Sequence, residues 1–254
     1  MTSLIIGLVA GCFGGLVGLG GGVVMIPLMV RFFRLVQVQA HGTSLMALVF
    51  TGLSGAITYY MKGSVDVWAS VCLAVTAITT TSFGARYANA LPERQLKRAF
   101  GFFLIIVSLT MLGKPFFTHF AIHLEGWGKI IVLLVSGAAA GFLSGMMGVG
   151  GGSIMVPAMV LLVGFSQHTA QGSSLLAMVP AGGVGAFTHW RLGNVVGKLL
   201  PGLIIGIILG AYLGGTLAHL LDEATLRVIF AAVLIWQGIR DIRKTALKKT
   251  AVKD

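Results

Sequence analysis

The chain has 254 residues, of which 56% are hydrophobic and only 10% charged, and its mean hydropathy is +0.95. That mixture excludes an ordinary soluble domain and specifies an integral membrane protein. The net charge of +11 does not point to nucleic acid, because the basic residues are scattered through connecting stretches and a tail, where their natural partner is an anionic membrane face.

Four apolar segments fill each half. In chain order they are Leu4 to Phe33, His41 to Met61, Val65 to Ala90 and Ala99 to Gly113, then Ile130 to Phe165, Ala170 to Trp190, Val195 to Leu221 and Leu226 to Gln237. Ile130 to Trp190 contains no Asp, Glu, Lys or Arg, which suits spans of ~20 residues in hydrocarbon. A spanning chain must satisfy its own backbone hydrogen bonds and no barrel-like alternation is present, so all eight segments are predicted helical. The Val9-Ala10-Gly11-Cys12 stretch has the form of a lipoprotein cleavage site, but no Lys or Arg precedes it. The amino terminus is therefore read as the first membrane segment. Cys12 and Cys72 sit in apolar runs without metal-ligand spacing, and the 11 methionines are scattered. Both sets read as packing residues.

The first and fifth segments are each interrupted by a glycine cluster. Gly18 to Pro27 reads GLGGGVVMIP and Gly148 to Pro157 reads GVGGGSIMVP, with the two prolines 130 residues apart. The same offset relates Ala40-His41-Gly42-Thr43-Ser44-Leu45 to Ala170-Gln171-Gly172-Ser173-Ser174-Leu175, and Gly55-Ala56-Ile57-Thr58 to Gly185-Ala186-Phe187-Thr188. Gly63, Gly84 and Phe100 recur as Gly193, Gly214 and Phe230. A constant register of glycine, proline, serine and threonine is an internal duplication.

Each interrupted segment is long for one span, and at ~1.5 Å per residue either side of the break reaches only about halfway through a bilayer. A segment that enters and returns fits this length. If both segments return to the side they entered from, Lys62, Lys114, Lys129 and Arg227 lie on one face and the other fourteen of the 18 basic residues on the opposite face. If every segment crosses, the division is eleven to seven. The positive-inside bias favours the first arrangement, which inverts one half relative to the other and leaves both termini in the cytoplasm. The expected fold is an all-α integral membrane protein of two inverted repeats, each a glycine-broken re-entrant hairpin plus three transmembrane helices. The repeats span 1–113 and 130–239, with an interfacial connector at 114–129 and a basic cytoplasmic tail at 240–254. His119 and His123 in the connector have helical spacing, but no third metal ligand accompanies them.

Broken helices at corresponding positions of inverted repeats are the usual build of a secondary transporter, with its site at the repeat interface. A helix restarting after Gly20, Gly21 and Gly22, or after Gly150, Gly151, Gly152 and Ser153, presents backbone N–H groups and a positive dipole end, which suit an anion. Glycines also serve close helix packing, although that use needs small residues at helical spacing rather than three in a row before a proline. All seven acidic residues fall at segment ends, in loops or in the tail. No carboxylate is thus expected to hold a cation at mid-membrane, and the substrate is expected to be negative. The predicted polar lining is Thr43, Ser44, Ser173, Ser174, Thr58 and Thr188, with His41 and Gln171 at matching positions. His41 and His189 are the candidates for proton coupling.

With these residues the chain resembles the TauE/SafE sulfite exporter family, also called the toluene sulfonate uptake permease family. The likeness rests on the duplicated Gly-Gly-Gly followed by Met and Pro, on the Gly42 to Ser44 and Gly172 to Ser174 helix starts, and on the overall length. It implies a bacterial or archaeal inner-membrane transporter that moves sulfite, sulfonates or related organosulfur anions, usually outward. It implies no cofactor, metal or enzymatic activity. An anion channel is the first alternative and a membrane redox or assembly factor the second. Oligomeric state is left open, a homodimer included.

Overall fold

The computed structural model describes residues 1–88, 93–113 and 126–250, with side chains for all of these except 93–97 and 244–250. The connector up to residue 125, with His119 and His123, and residues 251–254 of the tail lie outside the described residues. Among the described residues every element is helical. α1 (Thr2–Val17) and α2 (Gly22–Phe33) flank the first glycine cluster, and α3 (Gln37–Met61), α4 (Val67–Tyr87) and α5 (Glu93–Gly113) complete the first half. In the second half α6 (Trp127–Met147) and α7 (Gly152–Ala158, extended by a π-helical turn over Met159–Val163) flank the second cluster. They are followed by α8 (Gln167–Arg191), α9 (Leu200–Ala218) and α10 (Glu223–Thr250).

The glycines end and restart the helices for a steric reason. Gly18 and Gly148 close α1 and α6 in the left-handed region, at φ 73° and 67°, and each returns its N–H to the carbonyl four residues back. A side chain resists that conformation. The chain then folds back, which sets Gly21 against the Ala10 carbonyl and Gly151 against the Ala140 side chain. The arms are unequal. α2 has 12 residues, ~18 Å, close to the half-bilayer expected, whereas α6 has 21 residues, ~31 Å, and is long enough to cross by itself. The expectation that every arm reaches only halfway is therefore corrected for α6, while α1, with 16 residues, stays among the shorter apolar helices. α3, α4, α6 and the Gly197–Ala218 stretch are the four helices long and apolar enough to span. Ile5, Val75, Phe83, Ile106, Leu109, Val135, Ile205 and many similar side chains are exposed on the outer surface. An apolar surface of that extent faces lipid.

Small residues set which helices touch. α1 packs along α9, α4 along α6, α3 along α8 and α5 along α10. Gly7, Gly11 and Gly15 form the α1 seam and Gly137, Gly141 and Gly145 the α6 seam. A Cβ at Gly11 would come within 2.6 Å of the Ile207 carbonyl oxygen, and one at Gly141 within 2.5 Å of the Ala77 carbonyl oxygen. Only hydrogen fits there, which is the small-residue packing of membrane helices. Both seams obey the 130-residue offset, and in each the partner lies in the other half. At the α5–α10 pair, Gly101 and Gly238 meet in the same way.

α10 runs on beyond the Gln237 end expected from hydropathy. It carries Asp241, only 7% exposed, into the interior. The expectation that all seven acidic side chains stay at ends, in loops or in the tail fails for this one.

Candidate functional site

The two glycine clusters converge at the centre of the molecule. A Cβ at Gly20 and one at Gly150 would meet the same two side chains, Leu48 at 2.9 Å from both and Met178 at 3.2 and 3.4 Å. Gly22 abuts the Gly148–Val149 backbone and Gly152 abuts Gly18 and Leu19. The clusters thus pack directly on one another. Ser153 follows in the first turn of α7 and is 2% exposed.

The predicted hydroxyls lock this arrangement in exchanged pairs. The Ser44 hydroxyl donates to the Gly148 carbonyl oxygen, and the Ser174 hydroxyl donates to that of Gly18 at 3.0 Å. Further out, Thr43 Oγ1 accepts the Val196 N–H at 3.0 Å and Ser173 Oγ accepts the Asp66 N–H at 2.9 Å. Each α3 or α8 hydroxyl therefore holds a loop or turn of the opposite half. Thr58 and Thr188 do not join the others: each hydroxyl donates back to its own helix, at Ser54 and Val184. Thr188 faces a separate cavity of about 350 Å³ with Arg86 and Arg191.

The places where the two halves differ are more informative. Tyr59 shares its single hydroxyl hydrogen between the Gly15 carbonyl at 3.1 Å and Gln171 Oε1 at 2.8 Å. Its counterpart His189 makes the equivalent bond, Nε2–H to the Gly145 carbonyl at 2.9 Å, and Nδ1 faces the Asn194 amide at 3.4 Å. Because a carbonyl can only accept, Nε2 carries the hydrogen and both ring nitrogens are used. His189 thus ties α8 to α6, whereas His41 lines a cavity.

That cavity, of about 40 Å³, is walled by Ile26, Pro27, Gln37, His41, Met147, Val149, Arg240 and Asp241. Arg240 is held by a consequence of Pro27. A proline has no N–H, so the Val23 carbonyl four residues earlier loses its helical donor, and Arg240 Nη1 donates to it at 2.8 Å. Arg240 Nε also donates to Asp241 Oδ1 at 3.3 Å, and its guanidinium lies 5.0 Å from the Trp236 ring. At the equivalent positions of the other half stand Gln167 and Gln171, both fully buried. Gln171 Nε2 and both amide atoms of Gln167 have no hydrogen-bond partner among the described residues. Buried amide groups left this way cost about 1–3 kcal/mol each, so they call for a ligand or water that accepts from the two Nε2 groups and donates to Gln167 Oε1. Among the described residues no group of three or more His, Cys, Asp or Glu side chains is arranged to hold a metal.

Sequence reasoning missed Gln167, Gln37, Arg240 and Asp241. Gln37 and Gln167 were within reach of it, being identical residues 130 apart and one helical turn before His41 and Gln171. Arg240 and Asp241 carried no such signal, because their partners are brought to them only by the fold.

Comparison with known proteins decides the family. Residues 3–240 match the family described as Sulfite exporter TauE/SafE. The chain belongs to that family. Among curated TauE/SafE relatives, the probable membrane transporter protein YunE of Bacillus subtilis is 29% identical over 222 residues, covering 76% of this chain and 78% of its own length. YdhB of the same organism is 26% identical, covering 74% of this chain and 79% of its own. MJ0441 of Methanocaldococcus jannaschii is 24% identical, covering 77% and 74%. Both are likewise described as probable membrane transporters. No solved structure is detectably similar. The chain is a multi-pass membrane protein of a transporter family, with its two glycine clusters interlocked at the centre.

Proposed function

We propose that this TauE/SafE protein is a secondary transporter that exports a sulfur-containing anion, sulfite or an organosulfonate, across the inner membrane by alternating access between two inverted repeats. One observation supports the choice of an anion: the buried, unpartnered Nε2 donors of Gln171, beside the Gly18 turn, and of Gln167 one helical turn before it. A sulfite or sulfonate oxygen accepts hydrogen bonds, so it complements the amide N–H groups and the backbone N–H groups of the restarting helices. The glycine clusters grip the head group, and the seams of glycine let the helices around them shift without side-chain obstruction.

The inverted arrangement, with both termini cytoplasmic, is supported by which charges share an end. Glu223 Oε1 accepts from Arg227 at 3.1 Å and from the Gln167 N–H at 3.3 Å. The His168 ring next to it lies 5.1 Å from that of His219, tilted by 41°, and His219 reaches the Ser64 hydroxyl beside Lys62 at 3.2 Å. Asp66 pairs with Lys129 at 3.6 Å. Lys62, Lys129 and Arg227 therefore gather at one end. Lys62 and Lys129 share a face in either topology, so it is the position of Arg227 with them that supports the returning-segment one.

The test is a thermal-shift screen of detergent-purified protein against sulfite, sulfate, thiosulfate, taurine, sulfoacetate and acetate, repeated on Gln167→Leu and Gln171→Leu. Stabilisation by a sulfur anion but not by acetate, lost in both variants while each variant stays folded, is the expected result. A wild type indifferent to every anion, or variants that respond as it does, would overturn the site.

A further inference from the structure

We propose that the cavity lined by Gln37, His41, Arg240 and Asp241 is a proton-binding site that sets the position of both glycine clusters, so that the transporter is proton-coupled. This rests on the transporter reading above but not on the identity of the anion.

The cavity is shaped for the task. Gln37, Pro27 and Arg240 are half-buried at its mouth, while His41 and Asp241 are 4% and 7% exposed at its base. About 40 Å³ with Gln37, His41, Arg240 and Asp241 on its wall admits water, which gives a proton a way in. A histidine and a carboxylate sharing one small void form a pair whose total charge changes with a single proton. Ionisable groups this deep in a membrane protein line ion and proton pathways. α8 packs on α3 next to His41, where His189 Cβ would lie 3.0 Å from a Cβ on Gly42, and the cavity wall adds few other groups. α2 offers Ile26 and Pro27, the turn after α6 offers Met147 and Val149, α3 offers Gln37, and α10 offers Arg240 and Asp241. Among the described side chains no other charged group lines the cavity.

The charge state reaches both clusters through backbone. Arg240, beside Asp241, holds the Val23 carbonyl in the first turn after Gly22 at 2.8 Å. His41 backs the Gly148 turn so closely that a Cβ on Gly148 would lie 2.7 Å from the His41 Cα. One further turn along α3, Ser44 donates to the same Gly148 carbonyl. Protonating the pair weakens the hold of Asp241 on Arg240 and hence of Arg240 on α2, while it alters the packing of His41 on the other cluster. The duplication supplies an internal control. The equivalent positions are Gln167, Gln171, Thr110 and Met111, none of which titrates, so the proton site belongs to one end of the molecule and gives transport a direction.

The experiment is a pH jump applied to proteoliposomes on a solid-supported membrane, with no sulfur anion present. Wild type is expected to give a transient charge displacement absent from empty vesicles. Asp241→Asn and His41→Gln are expected to lose it, and Asp241→Glu to recover it. His41→Gln decides the matter even if an Asp241 variant fails to fold, because it installs the side chain the second half carries at Gln171. A wild type without a transient, or a folded His41→Gln that keeps it, would overturn the proposal. A transient that behaves as expected in a protein indifferent to every anion in the thermal screen would instead overturn the sulfur-anion reading alone.

Discussion

Gly21 and Gly151 occupy equivalent places in the duplication, yet their backbones differ. Gly21 has φ 77° and lies against the Ala10 carbonyl; Gly151 has φ −84° and its nearest neighbour to an added Cβ is the Ala140 methyl at 2.9 Å, then the flexible end of Met155 at 3.1 Å. Alanine at Gly21 must adopt the left-handed region, at about 1–2 kcal/mol, and must displace a backbone carbonyl, at about 1–3 kcal/mol for an overpacked site. Alanine at Gly151 meets only the second kind of cost, against side-chain atoms, at about 1 kcal/mol. The Gly21→Ala loss should therefore exceed that of Gly151→Ala by about 2 kcal/mol, roughly a 30-fold difference in the unfolding equilibrium. Reversible unfolding by sodium dodecyl sulfate in mixed micelles, followed by tryptophan fluorescence, measures it. Gly183→Ala, in α8 with nothing within 4 Å of the added methyl, is the control and should be neutral or slightly stabilising. Equal losses at Gly21 and Gly151 would refute the reasoning, since they would mean the two turns share one conformation.

Other consequences can be measured in the same system. Ser44→Ala and Ser174→Ala each remove one exchanged bond to a buried turn, and each should lose about 0.6–1.7 kcal/mol, the range for hydrogen bonds between membrane helices. Gly11→Leu and Gly141→Leu drive a side chain into the α9 and α4 backbones and should abolish a monodisperse peak in size-exclusion chromatography, whereas Leu at Gly183 should not. His219, just beyond the end of α9, has its pKa lowered from 6.5, chiefly by burial, against an opposing hydrogen bond with the Gly215 carbonyl; nearby His168 and Lys62 lower it further. The unfolded chain then takes up the proton first, so stability is present above pH 6.5 and declines as the pH falls below it. A series of thermal midpoints between about pH 7.5 and 5.5 should show that decline, and His219→Gln should flatten it.

Much of this fold was legible because membrane helices announce themselves by hydropathy and because the duplication prints the glycine clusters and their serines twice. The glycine clusters, the Ser44 and Ser174 pair and the helical segments all came from pattern alone. The pairing of helices did not, although Gly7, Gly11 and Gly15 with Gly137, Gly141 and Gly145 were a readable small-residue spacing. What could not be read was how one repeated motif settles into two conformations, as at Gly21 and Gly151. Nor could the sequence show that His189 replaces Tyr59 in a packing bond while His41 faces a cavity. The site residues Arg240 and Asp241 lay in a stretch whose charge suggested a tail. Only the proline at Pro27 hinted otherwise, since it leaves the Val23 carbonyl seeking a donor without saying from where.

The seam between α1 and α9 has a consequence for the birth of the protein. The hydrogen-only face of Gly7, Gly11 and Gly15 is complementary to a helix that begins at Leu200, so α1 enters the bilayer long before its partner has been synthesised. The first half cannot ripen into a finished unit while the second is made. It must wait, loosely associated, until α9 threads back beside it, and the second half's α6 meets a first-half α4 that is already there. Assembly thus closes through long-range contacts in order, the α4–α6 seam first and the α1–α9 seam after it. A chain stopped at the connector would leave the α1 face that meets α9 and the α4 face that meets α6 without their partners.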